Sequence, residues 1–313
     1  MPDIQYIPLS RSDPEFLLPL LEEEEKAWMS DLSWDYSPIR QVLVSFIHQR
    51  LLPGYVAAAD SRAVAYTYFL VNQAKGTIGA VYASRAGYYP PVIEELVSLS
   101  VSSLRDSPSI NRIEAQIIPF NDLNLTAAFA RHGFSRYSRF YMELDLTRFR
   151  RMAEAPLSAF IVPWSPAYVS RTAEMTSLSY RNQADAVLSV DYRTKESCET
   201  YLRSLLESPG CGIFMPGASF AAMDEGGFLH GFIFSCRISE KAGMIPQIAV
   251  DPSSQGKGLG NALMSRALDS MKSTGMRTVS LTVTAENRRA FDWYERLGFR
   301  IRKEFGAYVW ERR

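Results

Sequence analysis

The amino-acid sequence predicts an α/β fold with a mixed α+β sheet, assembled twice along the chain. Three observations lead to this prediction. Strand and helix patterns are intermixed along the whole chain, their order in the first half returns in the second, and one strand–helix segment has a counterpart in each half. The length of 313 residues and the hydrophobic content of 47% allow two globular domains with a core in each.

In the first half, helix ends and apolar runs define the elements. Pro14 opens a helix over 14–29, because proline is favoured in the first helical turn, and Gly133 closes a helix that begins near Asn124. A further helix is predicted over 92–104. Apolar and alternating runs predict strands at 54–60, 63–72, 76–84, 112–119 and 136–146.

The second half repeats this order. Gly226 and Gly227 mark a hairpin turn within 218–238, and apolar residues at helical spacing predict a helix over 261–275. The other elements follow from the same rules. They are strands at 158–165, 243–251, 277–285 and 307–313, and helices at 166–181, 192–210 and 287–298.

Individual residues also repeat between the halves. When the segment that begins at Arg112 is laid on the segment that begins at Arg277, Gly133 meets Gly298. We interpret this as two diverged copies of one fold, with chance similarity of two strand–helix units as the alternative. The predicted domains are residues 1–150 and 156–313, joined by a linker near 148–158.

Composition excludes several classes of function. The formal net charge is +0 and no long basic tract occurs, which argues against nucleic acid or an anionic membrane as the main partner. There is neither a signal-peptide pattern at the start nor an apolar run long enough to span a membrane, so we expect a cytoplasmic protein. The cysteines and histidines show no zinc spacing, and no metal is expected.

The segment DPSSQGKGLGNALM, which begins at Asp251, places three glycines between a predicted strand and a predicted helix. Such a turn leaves backbone N–H groups unpaired at a helix N-terminus, where they can bind phosphate. Lys257 and Gln255 add charge or hydrogen bonds at the rim. The spacing fits neither a Walker loop, since Gly258 follows Lys257, nor a dinucleotide fingerprint, since Asn261 replaces its third glycine. A plain glycine-rich turn is the alternative.

Two motifs in this region resemble the GCN5-related N-acetyltransferase (GNAT) family. Gln255, Gly258 and Gly260 fill the family's Gln/Arg-x-x-Gly-x-Gly/Ala signature. The family's later element has an Asn, then Ala-x-x-x-Tyr, then Leu-Gly-Phe. The residues that fill it here are Asn287, Ala290, Tyr294, Leu297, Gly298 and Phe299.

This resemblance implies two tandem GNAT-like domains and an acetyl-CoA site in the second. Acetyl-CoA would lie in a V-shaped gap between two splayed parallel strands, with its pyrophosphate on the N–H groups of 255–261 and its pantetheine arm beside Ile248 and Val250. Asn287 would hold the arm or order water. The implied cofactor-binding residues are Ile248, Ala249, Val250, Gln255, Gly256, Lys257, Gly258, Leu259, Gly260, Asn261, Asn287 and Ala290.

The implied chemistry is direct attack of a neutral amine on the thioester, for which a backbone N–H near Val250 would polarise the carbonyl group. Tyr294 stands where the family places a tyrosine that protonates the leaving thiolate; the alternative is a core aromatic packed beside Phe291. Many family members carry a Glu where this chain has Gln247. We assign no general base, because three nearby carboxylates are expected to be ordinary surface groups: Glu174, Asp185 and Asp191.

The first half lacks the binding features. The same alignment sets the six residues that begin at Pro90, with two prolines and two glutamates, opposite Gln255–Gly260, and sets Phe129 opposite Tyr294. We therefore expect a degenerate first domain without an acetyl-CoA site, which packs against the second and walls the acceptor pocket. Aromatic residues that could line this wall, although core or interface roles are favoured, are Trp28, Trp34, Tyr36, Tyr88 and Tyr89.

The predicted function is transfer of an acetyl group from acetyl-CoA to a primary amine on a small molecule or a peptide. Two alternatives remain at this stage. The first is a non-catalytic CoA-binding sensor or regulatory module on the same fold, which the amide at Gln247 favours and the intact Tyr294 disfavours. The second is transfer of a longer acyl chain.

Overall fold

The computed structural model of the protein describes residues 3–85, 90–119, 123–151, 159–181 and 183–312. Within these ranges the chain forms two compact units. The first comprises Met1–Arg139 and Lys303–Arg313, and the second comprises Phe140–Arg302. Each unit has a mixed sheet flanked by helices, as the predicted α/β class requires.

The sheet of the first unit begins with a meander and ends with a strand from the far end of the chain. Its strands, in spatial order, are β1 (Ile4–Pro8), β2 (Gly54–Ala59), β3 (Arg62–Asn72), β4 (Lys75–Ala83), β5 (Arg112–Ile117) and β13 (Arg300–Glu311). The helices are α1 (Pro14–Leu32), α2 (Ser37–His48), α3 (Pro90–Arg105) and α4 (Leu123–Arg131).

The second unit contains the glycine-rich turn. Its strands in chain order are β6 (Ser135–Asp145), β7 (Phe160–Pro163), β8 (Ile213–Phe214), β9 (Phe220–Met223), β10 (Leu229–Arg237), β11 (Ala242–Val250) and β12 (Thr278–Thr284). In space they lie in the order β6, β12, β11, β10, β9, β7, and β8 pairs with β10. The helices are α5 (Val169–Tyr180), α6 (Ala184–Leu188), α7 (Lys195–Glu207), α8 (Leu259–Ser273) and α9 (Arg288–Leu297).

Most predicted elements are confirmed, and the glycines that were expected to end them have the required backbone. Gly133 after α4 and Gly298 after α9 have φ angles of 73° and 101°, in the left-handed region where a side chain is unfavourable. Gly227 turns the β9–β10 hairpin with φ 78°. Helix α2 was not predicted. Strand β13 begins seven residues before the predicted strand, because Arg300–Glu304 is mostly exposed and charged.

The two units exchange their last strands. Strand β6 follows α4 in the sequence, but from Phe140 onward it belongs to the second unit, where it lies beside β12. Strand β13 follows α9, but from Lys303 onward it belongs to the first unit, where it pairs antiparallel with β5. Gly306 faces Ile117 and Glu311 faces Arg112 in that pairing. The compact units therefore differ from the predicted segments 1–150 and 156–313 at these two strands. Residues 152–158 of the predicted linker lie outside the described residues.

In the second unit, both faces of the sheet are covered. Helix α8 packs its apolar stripe on one face, where Leu263, Leu268 and Met271 are fully buried, as their spacing predicts. Helices α5 and α7 cover the other face through Ala173, Leu202 and neighbouring residues. Truncation of such buried leucines typically costs about 2–5 kcal/mol, so α8 is held firmly and carries the glycine-rich turn at its start.

Each unit contains one pair of adjacent parallel strands that separate. In the first unit, β4 and β5 pair from Lys75 and Arg112 to Ile78 and Ala115, although both strands continue. In the second unit, β11 and β12 pair only from Ala242 and Thr278 to Met244 and Ser280. The repeated order of a strand, a helix, a parallel strand and a second helix accompanies this separation in both units.

A carboxyl group is buried in the core of the first unit. Glu24 on α1 is 1% exposed and accepts hydrogen bonds from the Trp28 indole and the Tyr66 hydroxyl. Trp28 stacks on Tyr36 at 4.6 Å, and Trp34 lies beside it. Burial raises the pKa of Glu24 to about 7, against the lowering effect of its two donors. These aromatics are core residues of the first unit, whereas Tyr88 and Tyr89 lie outside the described residues.

We predict that the Glu24 carboxyl makes the stability of the protein depend on pH. Because the pKa is raised on folding, the native state favours the protonated form. The resulting stability is full below the unfolded pKa of 4.5 and is lost as the pH rises through about 7. The loss amounts to about 3 kcal/mol. The free energy of unfolding should be measured in urea for the unaltered protein and for Glu24→Gln at pH 4.5 and 8. Between these pH values the unaltered protein should lose about 3 kcal/mol of stability relative to the variant, whose amide does not titrate.

Glu22→Gln is the matched control, because Glu22 is exposed on the same helix. Its effect should not change with pH by more than about 0.5 kcal/mol. An equal pH response of the Glu22 and Glu24 variants would contradict the prediction.

Candidate functional site

The separation of β11 and β12 leaves an open backbone edge on β11. The N–H of Asp251 donates to the carbonyl of His230 on the β10 side, and Ala249 faces Phe232 of β10 in the same register. Because backbone direction alternates along a strand, Ile248 and Val250 direct their polar groups away from β10 and into the opening. Ala249 instead packs its methyl group into the core under α5.

The C-terminal end of α5 lies against this open edge. The Tyr180 hydroxyl donates to the Ile248 carbonyl at 3.4 Å, and the Ser179 hydroxyl donates to the Val250 carbonyl at 3.2 Å. Both distances are longer than those of ordinary O–H···O hydrogen bonds, so the two contacts are weak. The edge at Ile248 and Val250 is therefore bounded by α5 on one side and by the diverging β12 on the other.

A structured turn connects β11 to α8. The Asp251 side chain accepts from the N–H of Ser253 at 2.9 Å and so caps a short 3-10 helix, Pro252–Ser254. Gly256 and Gly258 then have φ angles of 78° and 82°, and Gly258 is the N-cap residue of α8. These two glycines meet a backbone requirement, because a side chain is strained in the left-handed region.

The turn presents a row of unbonded amides. The first bond of α8 runs from the N–H of Ala262 to the carbonyl of Gly258, so the N–H groups of Leu259, Gly260 and Asn261 precede the helical ladder. Among the residues that the structure describes, none accepts a hydrogen bond from the N–H groups of 255–261. A nest of such donors at the positive end of a helix binds anions, phosphate above all.

Side chains of the turn hold it against α9. Gln255 donates to the Val250 carbonyl and accepts from Arg289 at 2.7 Å. Asn261 accepts from the Trp293 indole at 2.7 Å, and a Cβ on Gly260 would only reach van der Waals distance of that ring, at 3.6 Å. Lys257 is exposed. Gln255 and Asn261 thus brace the turn, and Lys257 and Arg289 place positive charge beside its amides.

A partly buried chain of polar side chains contacts the start of the turn. Ser254 is 4% exposed, and its hydroxyl lies 2.8 Å from Nδ1 of His230. The other ring nitrogen of His230 lies 3.0 Å from Asp224, whose pKa is lowered by the N–H of Phe228 and by the histidine. The chain from Asp224 through His230 to Ser254 therefore ties the β9–β10 hairpin to the start of the turn.

The predicted residues of α9 follow directly after the end of β12. Asn287 caps the helix, since its side-chain oxygen accepts from the N–H of Ala290 at 3.3 Å. Tyr294 is 8% exposed and packs its ring beside Trp293 and Phe299, and no described residue accepts from its hydroxyl. Burial, and then the negative charge of Asp185, raise the pKa of Tyr294 well above its ordinary value. The hydroxyl therefore keeps its proton at neutral pH.

One residue expected at the surface is instead buried at this site. Asp185 on α6 is 8% exposed and accepts from the Thr284 hydroxyl at 2.7 Å and from the Asn287 amide at 3.3 Å. The expectation of a surface carboxylate was wrong for Asp185, because the fold carries α6 to the end of β12. Glu174 is exposed, 3.4 Å from Lys195, and Asp191 bonds to Ser189 in a local cap.

Gln247 lies at the centre of a cluster of tyrosines. It is 3% exposed, and its amide group donates to the Tyr180 hydroxyl at 2.9 Å. Its side-chain oxygen accepts from Tyr192 at 3.3 Å and from Tyr201 at 3.5 Å. Burial raises the pKa of Tyr180 well above its ordinary value. The sequence gives no sign of this cluster, because its members come from α5, α7, β11 and the segment between α6 and α7.

The structure shows neither a metal cluster nor a membrane span within the described ranges. No group of three or more His, Cys, Asp or Glu side chains could hold a metal ion there. In the same residues, every helix is too short or too polar to cross a lipid bilayer. The cysteines Cys198 and Cys236 are buried thiols.

Comparison with known proteins finds a family match within the second unit. Residues 186–299 match the model of the Acetyltransferase (GNAT) family. A mycothiol acetyltransferase of Actinosynnema mirum is 44% identical over 78 residues, which are 25% of this chain and 26% of that protein. The chain thus aligns with well under half the length of this curated relative.

Two solved structures resemble almost the whole chain. A GCN5-related N-acetyltransferase from Sphaerobacter thermophilus superposes with a TM-score of 0.73 at 17% identity, over 99% of this chain and 96% of that one. A tandem GNAT protein from the clavulanic acid biosynthesis pathway does so with a TM-score of 0.66 at 15% identity, over 99% and 98%. Residues 186–299 therefore match the GNAT family directly, and the fold of the whole chain resembles that of a tandem GNAT protein.

Proposed function

We propose that this protein transfers an acetyl group from acetyl-CoA to the amine of an acceptor, at a single site in its second unit. The observation that carries the proposal is the pairing of two features along one stretch of chain. The open edge at Ile248 and Val250 leads directly into the turn whose amides, from Gln255 to Asn261, have no acceptor among the described residues. An extended amide-containing arm that ends in a pyrophosphate matches both features.

The donor set fits acetyl-CoA residue by residue. The amides of Gln255, Gly256, Lys257, Gly258, Leu259, Gly260 and Asn261 would hold the pyrophosphate. Lys257 and Arg289 would add positive charge, and Ile248 and Val250 would pair with the arm as a strand does. Ala249 would contribute only by joining these two residues, because its own backbone and methyl group face β10 and the core. Asn287 and Ala290 would contact the arm at the start of α9.

The residues of the opening supply what direct transfer needs. When bound, acetyl-CoA supplies the acetyl group as a thioester that a neutral amine can attack. The Val250 N–H points into the opening and can donate to a carbonyl oxygen that gains charge. Tyr294 is protonated at neutral pH, so its hydroxyl could donate a hydrogen bond to the thiolate that would leave as the carbon–sulfur bond breaks, and the proton released by the attacking amine would neutralise that thiolate.

The acceptor is proposed to be an amine on a small molecule, with a peptide amine as the alternative. A relative that shares 44% identity over 78 residues is named a mycothiol acetyltransferase, and small-molecule acceptors follow from that likeness. No contact among the described residues selects one amine over another. A screen of amines is therefore the direct route to the substrate.

A CoA-binding sensor without catalysis is the second candidate. The observation that favours it is Gln247, an amide buried among three hydroxyls where a proton-accepting carboxylate would serve a catalyst. The protonated Tyr294 beside the opening favours catalysis instead. Tight binding of acetyl-CoA with no thiol release from any amine in a broad panel would support the sensor.

The first unit is proposed to bind no acetyl-CoA. Its corresponding helix, α3, begins at Pro90 and Pro91, and prolines have no N–H to donate. Glu94 lies in the next turn and pairs with Arg131. At the position that matches Tyr294, Phe129 is fully buried and stacks on Tyr308 at 4.3 Å. Among the described residues, the first turn of α3 thus offers fewer backbone donors than the turn before α8, and no hydroxyl stands at the position that matches Tyr294.

We predict that calorimetry will find one acetyl-CoA site per chain and that Gly258→Glu will abolish it. The new side chain would strain the turn and place a negative charge among amides that hold pyrophosphate. Binding should weaken by at least about 100-fold, equal to about 2.7 kcal/mol.

Gly275→Glu provides the matched control. Gly275 follows the other end of α8, has φ 87° and faces open space, so it takes the same strain and charge away from the turn. It should bind acetyl-CoA as the unaltered protein does. Two sites per chain, or equal losses in both variants, would refute the assignment of the turn.

We predict that Tyr294→Phe will lower the turnover number by about 100-fold or more while leaving acetyl-CoA affinity within about threefold. The change removes only a proton donor, and its hydroxyl contacts no described acceptor. Thiol release with a reactive amine, measured beside calorimetric affinity, separates the two effects. Tyr308→Phe, a buried tyrosine of the first unit, should leave turnover unchanged. Full turnover in Tyr294→Phe would contradict the catalytic role and would show that Tyr294 serves only as a core aromatic residue.

A further inference from the structure

Asp185 contacts both the end of β12 and the start of α9 in the second unit. The Thr284 hydroxyl, at the end of β12, donates to one carboxylate oxygen at 2.7 Å. The Asn287 amide, at the start of α9, donates to the other at 3.3 Å. Thr284 is fully buried and Asp185 is 8% exposed, so the contact with Thr284 is made out of water, while the contact with Asn287 is partly buried. A charge-assisted bond in such a place is stronger than one at the surface.

The carboxylate also determines how the Asn287 side chain is oriented. A carboxylate can only accept hydrogen bonds, so the amide nitrogen of Asn287 must face Asp185. The amide oxygen must then face the N–H of Ala290, from which it accepts at 3.3 Å. The N–H of Asn287 itself donates to the Thr284 carbonyl at 2.9 Å, which closes the connection between β12 and α9. Asp185 therefore holds the first turn of α9 in one arrangement.

The same carboxylate acts on hydroxyls around the opening. Its negative charge contributes to the raised pKa of Tyr294 on α9 and of Tyr180 on α5. The Tyr180 hydroxyl in turn contacts the carbonyl of Ile248 on the open edge of β11. Asp185 thus contacts the end of β12 and the start of α9, and its charge also reaches Tyr180 on α5.

From these contacts we propose that Asp185 is a positioning residue of the acetyl-transfer site, acting through the side chain of Asn287 at the start of α9. This inference rests on the proposed function, in which Asn287 meets the arm of acetyl-CoA. Its physical basis is orientation: a loose Asn287 would present the wrong atoms to the arm and would weaken the cap of the helix that carries Tyr294.

The test is a double-mutant cycle on acetyl-CoA affinity, measured by calorimetry with the full-length protein. Asp185→Asn keeps the shape of the side chain and removes the acceptor that orients Asn287. Asn287→Ala removes the group that is oriented. Each single change is expected to weaken acetyl-CoA binding by about tenfold. The double variant should lose no more affinity than the single variant with the larger loss, because both changes act through one contact.

Thr284→Val is the matched control. It removes the other bond to Asp185 with little change of shape and leaves the contact between Asp185 and Asn287 in place. It should alter acetyl-CoA affinity by less than about threefold. A tenfold loss in Thr284→Val would show that Asp185 acts through β12, which would overturn the proposal.

A second readout needs no cofactor. Hydrogen exchange at the N–H of Ala290 reports whether Asn287 caps α9, and its protection should be lost in Asp185→Asn and kept in Thr284→Val. A role in bulk stability alone would change both variants alike and would give additive losses of affinity, as much as 100-fold in the double variant. Retained protection in Asp185→Asn would also overturn the proposal.

The outcomes separate the two levels of inference. If the unaltered protein binds no acetyl-CoA, the proposed function fails and the role of Asp185 in it fails as well. If the unaltered protein binds acetyl-CoA but the effects of Asp185→Asn and Asn287→Ala are additive, only the role of Asp185 fails.

Discussion

The site depends on one constraint: two parallel strands stop sharing hydrogen bonds. Beyond Met244 and Ser280, β11 continues to pair with β10 on its other side, while β12 runs on without it. Backbone groups in a sheet interior must find partners. Those of Ile248 and Val250 face an opening instead, and the hydroxyls of Tyr180 and Ser179 satisfy only their carbonyls. A ligand that pairs like a strand is the natural complement of such an edge.

The turn after β11 adds a second set of unpaired donors, and the surrounding structure holds it in place. Positive φ angles at Gly256 and Gly258 set its path. Ser254 anchors its start through His230, and Asn261 joins its end to Trp293. These braces come from a hairpin and from α9, so the donors are ordered before any ligand arrives. A preorganised anion site of this kind loses less entropy when it binds.

Comparison of the two units shows which features of the fold are architectural and which serve a site. The separation of parallel strands occurs in both, since β4 and β5 part beyond Ile78 and Ala115. In the part of the chain that the structure describes, the start of α3 offers fewer donors, because its first two residues are prolines. The polar interior of the first unit is different as well, with Glu24 enclosed by Trp28 and Tyr66. Strand separation thus belongs to the fold, and the glycine-rich turn distinguishes the unit that we propose to be active.

The sequence by itself determined the local features. Caps, apolar spacing and glycines predict most helices and strands, the hairpin at Gly227 and the turn at 255–261, because each depends on residues close in the chain. Features that join distant segments were decided by the tertiary structure alone. Asp185 reads as a surface carboxylate until the fold brings it to Asn287, 102 positions away in the chain. The exchange of β6 and β13 is equally invisible, because strand pairing over such separations depends on the packing of whole sheets and leaves no short-range pattern.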